Sequence, residues 1–285
     1  MAQQSMAQSV GLTLPLPAFS GRIKTFPGPR ATPAFTQQRA AEVQREDQRQ
    51  NPRRLLIYTD ASKEAYQVHK RDIYTGAPVV EWHTKLSIAV GWQEWNNRTG
   101  RMDWKVKTQD MTHQLLRGTW KVDRLEFEAL KIGVAHVAGP FSKGISPSAD
   151  EHGNRIGSHS NSWVEETGPN ITEVAVFTDS DNALRFVRAP RRRLQRVEAF
   201  YGAEFAFRRL RSASQDLINQ GIGVELVWIP RDSAFGNIWV DCWAKIARGV
   251  LPWVELQAEL HFNRPAHWLL WWKEMEAQGR LEEFS

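Results

Sequence analysis

The chain has 285 residues, 41% of them hydrophobic and 24% charged, with a formal net charge of +5 at pH 7. That composition suits a soluble folded domain with a sizeable core, and no apolar run approaches the roughly 20 residues needed to span a bilayer. A single cysteine, Cys242, excludes an internal disulfide and a thiolate metal cluster, and fits a reducing, intracellular compartment in the nucleus or cytoplasm.

Residues 1–50 carry Pro15, Pro17, Pro27, Pro29 and Pro33 among Gln, Ser and Ala, with no sustained period, and are expected to form a disordered tail. The tail has basic residues but no acid before Glu42, so a mitochondrial presequence is the alternative reading; its prolines oppose the amphipathic helix such a signal needs. The folded domain is expected over 51–250. Leu55–Tyr58 reads as a buried strand that ends on Thr59–Asp60–Ala61–Ser62, which places a carboxylate where a sheet meets solvent. Residues 61–85 are expected to be an irregular connection. Leu86–Trp95, a turn at Asn96–Gly100 and the alternating Met102–Lys107 predict an antiparallel hairpin.

Asp123–Val137 predicts a helix. At 100° per residue Glu126 shares its face with Ala129, Leu130, Gly133 and Val137, whereas Glu128 falls with Lys131 and Ala135 and is expected to be solvated. An ionised carboxylate on an apolar face is costly unless it is paired or binds a metal, so Glu126 demands a reason. Residues 140–171 predict a long loop. Val174–Phe177 then repeats the first strand's logic, running into Thr178–Asp179–Ser180, with a helix to Val187. A long helical pattern from Arg191 to Gln220 precedes a last strand, Val224–Ile229. Gly236–Asn237 opens a helix through Ala247 with Asp241 in its second turn, where Lys245 offers an i,i+4 partner. Residues 251–285 predict a helical extension with Trp268, Trp271 and Trp272 on one face.

Strand, hairpin, helix, strand, helices, strand, helix implies an α/β fold with a mixed sheet whose later strands are parallel. Asp60, Glu126, Asp179 and Asp241 are four oxygen donors. If they converge they form a hard ligand set suited to Mg²⁺ or Mn²⁺, and two such ions can activate water and stabilise the leaving oxygen of a phosphodiester. A second signal is the run Arg188, Arg191, Arg192, Arg193 and Arg196, whose planar forks suit phosphate oxygens.

These residues carry a resemblance. YTDAS at 58–62, LEFEAL at 125–130, FTDSDNAL at 177–184 and WIPRDSAFGNIWVDCWAKIA at 228–247 resemble the type 1 ribonuclease H (RNase H) family, especially the domains of retroelement reverse transcriptases. The resemblance implies a ribonuclease H-like α/β fold, a mixed five-stranded sheet flanked by helices. It implies a nuclease that binds two Mg²⁺ or Mn²⁺ ions through Asp60, Glu126, Asp179 and Asp241, which are its catalytic residues. The reaction implied is endonucleolytic hydrolysis of the RNA strand of RNA–DNA hybrids, leaving 3′-hydroxyl and 5′-phosphate ends, by a monomer without membrane contact. Ser180 and the arginines at 188, 191, 192, 193 and 196 are the expected nucleic-acid contacts. Where the family carries a loop histidine this sequence has Arg231–Asp232–Ser233, and Asp181 stands where the family places a polar RNA contact. Those departures support the alternative of a retroelement-derived domain that binds nucleic acid or protein without cleaving.

Overall fold

Six strands build the sheet, and the chain's most apolar runs supply its centre. The computed structural model describes residues 18–27, 32–49, 51, 53–96, 101–112, 122–139, 171–189 and 203–247. Its strands are β1 (Arg22–Lys24), β2 (Arg54–Arg71), β3 (Pro78–Asn96), β4 (Arg101–Asp110), β5 (Glu173–Thr178) and β6 (Gly223–Trp228), in the spatial order β1-β6-β5-β2-β3-β4. β2 pairs antiparallel with β3, and β3 with β4; β2, β5, β6 and β1 run parallel. The helices are α1 (Pro33–Arg49), α2 (Val122–Ile132, continued by a π-helical turn over Gly133–Ala138), α3 (Asp181–Arg188), α4 (Glu204–Asn219) and α5 (Phe235–Ala247).

The central strands are apolar on both pleats because helices cover both faces. Leu55, Ile57, Val174, Val176, Val224 and Leu226 pack with residues of α2, α3 and α4. The alternate residues Leu56, Tyr58, Ala175, Phe177 and Val227 pack with Trp239, Val240 and Trp243 of α5 and Val43 of α1. Most tryptophans that can be placed are packing residues: Trp92, Trp239 and Trp243 are buried, and Trp104 stacks on Trp239 with ring centroids 5.5 Å apart.

The expected hairpin is present, but three expectations need correction. The first is the five-stranded count. A sixth strand, β1, joins the edge at β6, where Ile23 packs on the core and Lys24 Nζ lies 2.8 Å from the buried Glu225 carboxylate. Three residues with two charges give no periodic signal.

The second is the tail over 1–50, since β1 and α1 lie within it. Pro33 does not oppose α1: at the first helical position its missing N–H would have no intrahelical acceptor, and Thr32 Oγ1 accepts from Phe35 N–H at 3.3 Å as a cap. Val43 anchors the helix, with 2% of its surface exposed. The third is the connection over 61–85, which is a long two-stranded ribbon. β2 and β3 stay paired from Lys63↔Leu86 out to Arg71↔Pro78. Asp72 Oδ1 closes the tip by accepting from the Tyr74 and Thr75 amides at 3.0 and 2.7 Å, and Gly76 supplies the left-handed residue at φ 68°.

The loop expected over 140–171 falls outside the described residues except at its end, as do the first part of the helix expected from Arg191 and the extension at 251–285. No helix among the described residues is long and apolar enough to cross a membrane.

Candidate metal centre

Asp60 lies two residues past the last β2–β5 pair, Tyr58↔Phe177, and is still paired to Ala89 of β3. Asp179 follows directly from the end of β5. Asp179 therefore sits at the carboxyl end of its strand, where a crevice opens in sheets of this kind, whereas Asp60 sits where β2 leaves β5: the strand expected to end at 59–62 runs on to Arg71. Thr59 Oγ1 donates to the Phe177 carbonyl at 3.1 Å, tying β2 to the end of β5. Trp228 Nε1 donates to the Asp179 carbonyl at 3.1 Å, and Ser180 Oγ accepts from Ala183 N–H at 3.3 Å as the cap of α3. The backbone that presents Asp179 is thus fixed from two sides.

Glu126 reaches the same place from α2, on its inward face as its helical position predicts. One carboxylate oxygen from each of Asp60, Glu126 and Asp179 falls in a group whose members all lie within 4.8 Å of one another. Asp60 is 2% exposed and Glu126 3%. Burial pushes both carboxyls well above the usual range; Asp241 and Asp179 add to this at Asp60, and Asp60 and Asp179 at Glu126. The Ala61 amide works against that rise at both acids. No amide, hydroxyl or cationic donor among the described residues reaches Asp60 Oδ2 or Glu126 Oε2.

Orphaned oxygens, burial and like charge together describe a donor set that suits a hard divalent cation. Asp60, Glu126 and Asp179 are the residues that could hold it.

No family model matches the chain, and no curated protein matches it. Among solved structures the chain is similar to the crystal structure of RNase H1 from the halophilic archaeon Halobacterium salinarum NRC-1, at 14% identity and a TM-score of 0.29, over 68% of this chain and 96% of that one. At that TM-score the overlap assigns neither a fold nor a chemistry.

The fourth acid borders Asp60 without joining the group of three. Asp241 on α5 is close enough to raise Asp60, but it also pairs with Lys245 Nζ at 2.7 Å, one helical turn on. Of the expected nucleic-acid contacts, Ser180 is engaged as a cap, and Arg188 is exposed at the end of α3. Arg191, Arg192, Arg193 and Arg196 lie outside the described residues.

Asp181 is engaged within the chain: it accepts from Phe26 N–H at 3.1 Å and pairs with Arg185 at 2.6 Å. Glu128 is the clearest correction. It is buried, not solvated, because Arg124 at i−4 and Lys131 at i+3 close over it at 2.6 and 2.5 Å.

One functional neighbour has no signature in the sequence. Arg231 Nε lies 3.1 Å from Asp179 Oδ2, holding down a carboxyl that burial otherwise raises. The loop that aims it is built locally. Asp232 adopts φ 54° and its N–H donates to Asn237 Oδ1 at 2.9 Å, while Ser233 Oγ donates to the Pro230 carbonyl at 2.5 Å.

Proposed function

We propose that the protein is a metal-dependent endonuclease that hydrolyses the RNA strand of RNA–DNA hybrids, on a ribonuclease H-like fold related to retroelement domains. The carrying observation is the meeting of Asp60, Glu126 and Asp179 from three separate elements within 4.8 Å. Their order and flanking motifs, with Asp241 following, support the same reading. Asp60, Glu126 and Asp179 hold Mg²⁺ or Mn²⁺, and Asp241 completes a second position once it leaves Lys245. When bound, two divalent ions supply Lewis acidity and an activated water for phosphodiester hydrolysis. The chain's own part is positioning. The buried middle of β2, the inward face of α2 and the end of β5 fix the carboxylates, and the adjoining core keeps bulk water from their inner side. Arg188 and the arginines after it grip backbone phosphates.

The test is incubation of the folded protein with an end-labelled RNA–DNA hybrid in Mg²⁺ and in Mn²⁺. The expected result is cleavage of the RNA strand alone, abolished in Asp60→Asn and in Asp179→Asn. Cleavage that survives either substitution would place the chemistry elsewhere.

A second reading is favoured by Arg231, which already supplies a cation to Asp179, and by Asp232 where the family has a histidine. In that reading the domain only binds: neither metal supports cleavage, and Asp60→Asn binds the hybrid as well as the wild type does.

A further inference from the structure

The ribbon formed by β2 and β3 beyond Ser62 is unlike the rest of the surface. Among the described residues, every exposed large apolar side chain except Val122 and Phe205 lies on it; Trp82 is 67% exposed, Ile73 87% and Tyr74 90%. Its two faces differ in charge. The register Lys63↔Leu86, Gln67↔Trp82, His69↔Val80 and Arg71↔Pro78 puts Lys63, Gln67, His69, Arg71, Val80 and Trp82 on one face. Both strand carboxylates, Glu64 and Glu81, fall on the other, where Lys70 and His83 hold Glu81 at 2.7 and 3.1 Å. The first face therefore carries cations around an exposed indole and no acid. Among the described residues neither Lys63 nor Arg71 has a carboxylate partner.

Aromatic surface interleaved with unpaired cations is the chemistry that binds nucleic acid through base stacking and phosphate pairing. A flat indole needs the open face of a base, which a single strand offers and a paired duplex does not. Lys63 and Arg71 are eight residues apart on one strand, about 26 Å at roughly 3.3 Å per residue. That length matches a footprint on the order of four to eight nucleotides. The same strand carries Asp60 three residues before Lys63, about 10 Å along β2 at roughly 3.3 Å per residue, although the odd separation turns their side chains to opposite faces of the sheet.

We propose that this face binds a single-stranded segment flanking the hybrid held at the acids, with Trp82 stacked on an unpaired base and Lys63 and Arg71 on backbone phosphates. The inference rests on the reading of the acids as a hybrid-binding site, and the two can fail separately.

The experiment is fluorescence anisotropy on the full chain in metal-free buffer. It uses a blunt hybrid of about twelve base pairs and the same hybrid extended by about eight unpaired nucleotides at each of its four ends in turn. The wild type should gain about tenfold in affinity from at least one extension, and Trp82→Ala should lose that gain. Lys63→Ala with Arg71→Ala should lose it too, and should flatten the log–log salt slope for the extended hybrid by about 1.4, at roughly 0.7 per phosphate of single strand. Lys70→Ala, on the face that carries the carboxylates, should keep the gain.

Blunt hybrid bound with no gain from any extension overturns this inference and leaves the reading of the acids standing. So does a gain that Trp82→Ala and the double variant retain, or one that Lys70→Ala loses equally. A dimer in light scattering that Trp82→Ala converts to monomer assigns the face to a second copy and overturns it as well. Binding of an extended hybrid without any binding of the blunt one supports the ribbon and overturns the reading of the acids.

Discussion

Asp60 and Glu126 are buried acids whose nearest charged neighbours are acids, and this gives the metal-free protein a distinctive response to pH. Both carboxyls are held well above their unfolded values, by burial first and by neighbouring carboxylates second. Between the unfolded values near pH 4 and the raised folded ones, the native state binds more protons than the unfolded state, so stability falls as pH rises through that window. Asp60→Asn removes the most crowded charge. Without metal it should melt several degrees above the wild type at neutral pH, and the advantage should shrink toward pH 4. Calorimetric melts of both proteins across that range check the sign. Arg231 belongs to the same balance. Its side chain is 73% exposed, so its pairing with Asp179 is worth little and competes with a cation for one oxygen. Arg231→Ala should tighten divalent binding about two- to fivefold, read by titration calorimetry; weaker binding would make Arg231 a support for the metal site. The three converging acids were legible because Asp60 and Asp179 each close an apolar run and Glu126 lies on an apolar helix face, although β2 does not stop at Asp60. Arg231 was not, because its aim depends on a left-handed Asp232 and an Asn237 hydrogen bond that no periodicity encodes.

Among the elements, α5 decides how closely the fourth acid approaches the other three. It lies almost directly on β2 and β3, and two glycines make that possible. A Cβ on Gly236 would sit 2.3 Å from Tyr58 Cδ2, and one on Gly91 would sit 2.7 Å from Val240 Cγ1. Tyr58 is two residues from Asp60, so lifting α5 also draws Asp241 away. Gly236→Ala should cost about 1–3 kcal/mol in denaturant unfolding through overpacking. Any metal affinity that depends on Asp241 should fall with it, whereas an unchanged affinity would take Asp241 out of the site. The buried first part of β2, together with β5 and β6, was legible as short apolar runs followed by Asp or Pro, and α2 and α5 as periodic stretches. The ribbon was not, because strands with no core to cover lack the alternation that marks a half-buried pair. α1 was hidden by a proline read as a breaker and placed where it starts a helix.

For the whole molecule, three layers explain both what the sequence announced and what it withheld. Central strands buried on both faces gave a mixed sheet with parallel later strands, while the strand count escaped because β1 contributes only three residues. The acids come from β2, α2, the end of β5 and α5, so the centre joins elements from both sides of the sheet. β1 has one more consequence, for how copies of the chain avoid each other. It covers Glu225, Leu226 and Val227 of β6, which would otherwise present free amides and carbonyls as a template for another strand. Being short and flanked by Arg22 and Lys24, it is itself a poor template. Ile23→Pro should strip that cover while leaving the acids in place, and the protein should then associate as its concentration rises, visible as growth in light scattering. A variant that stays monodisperse at high concentration would mean that β6 guards its own border.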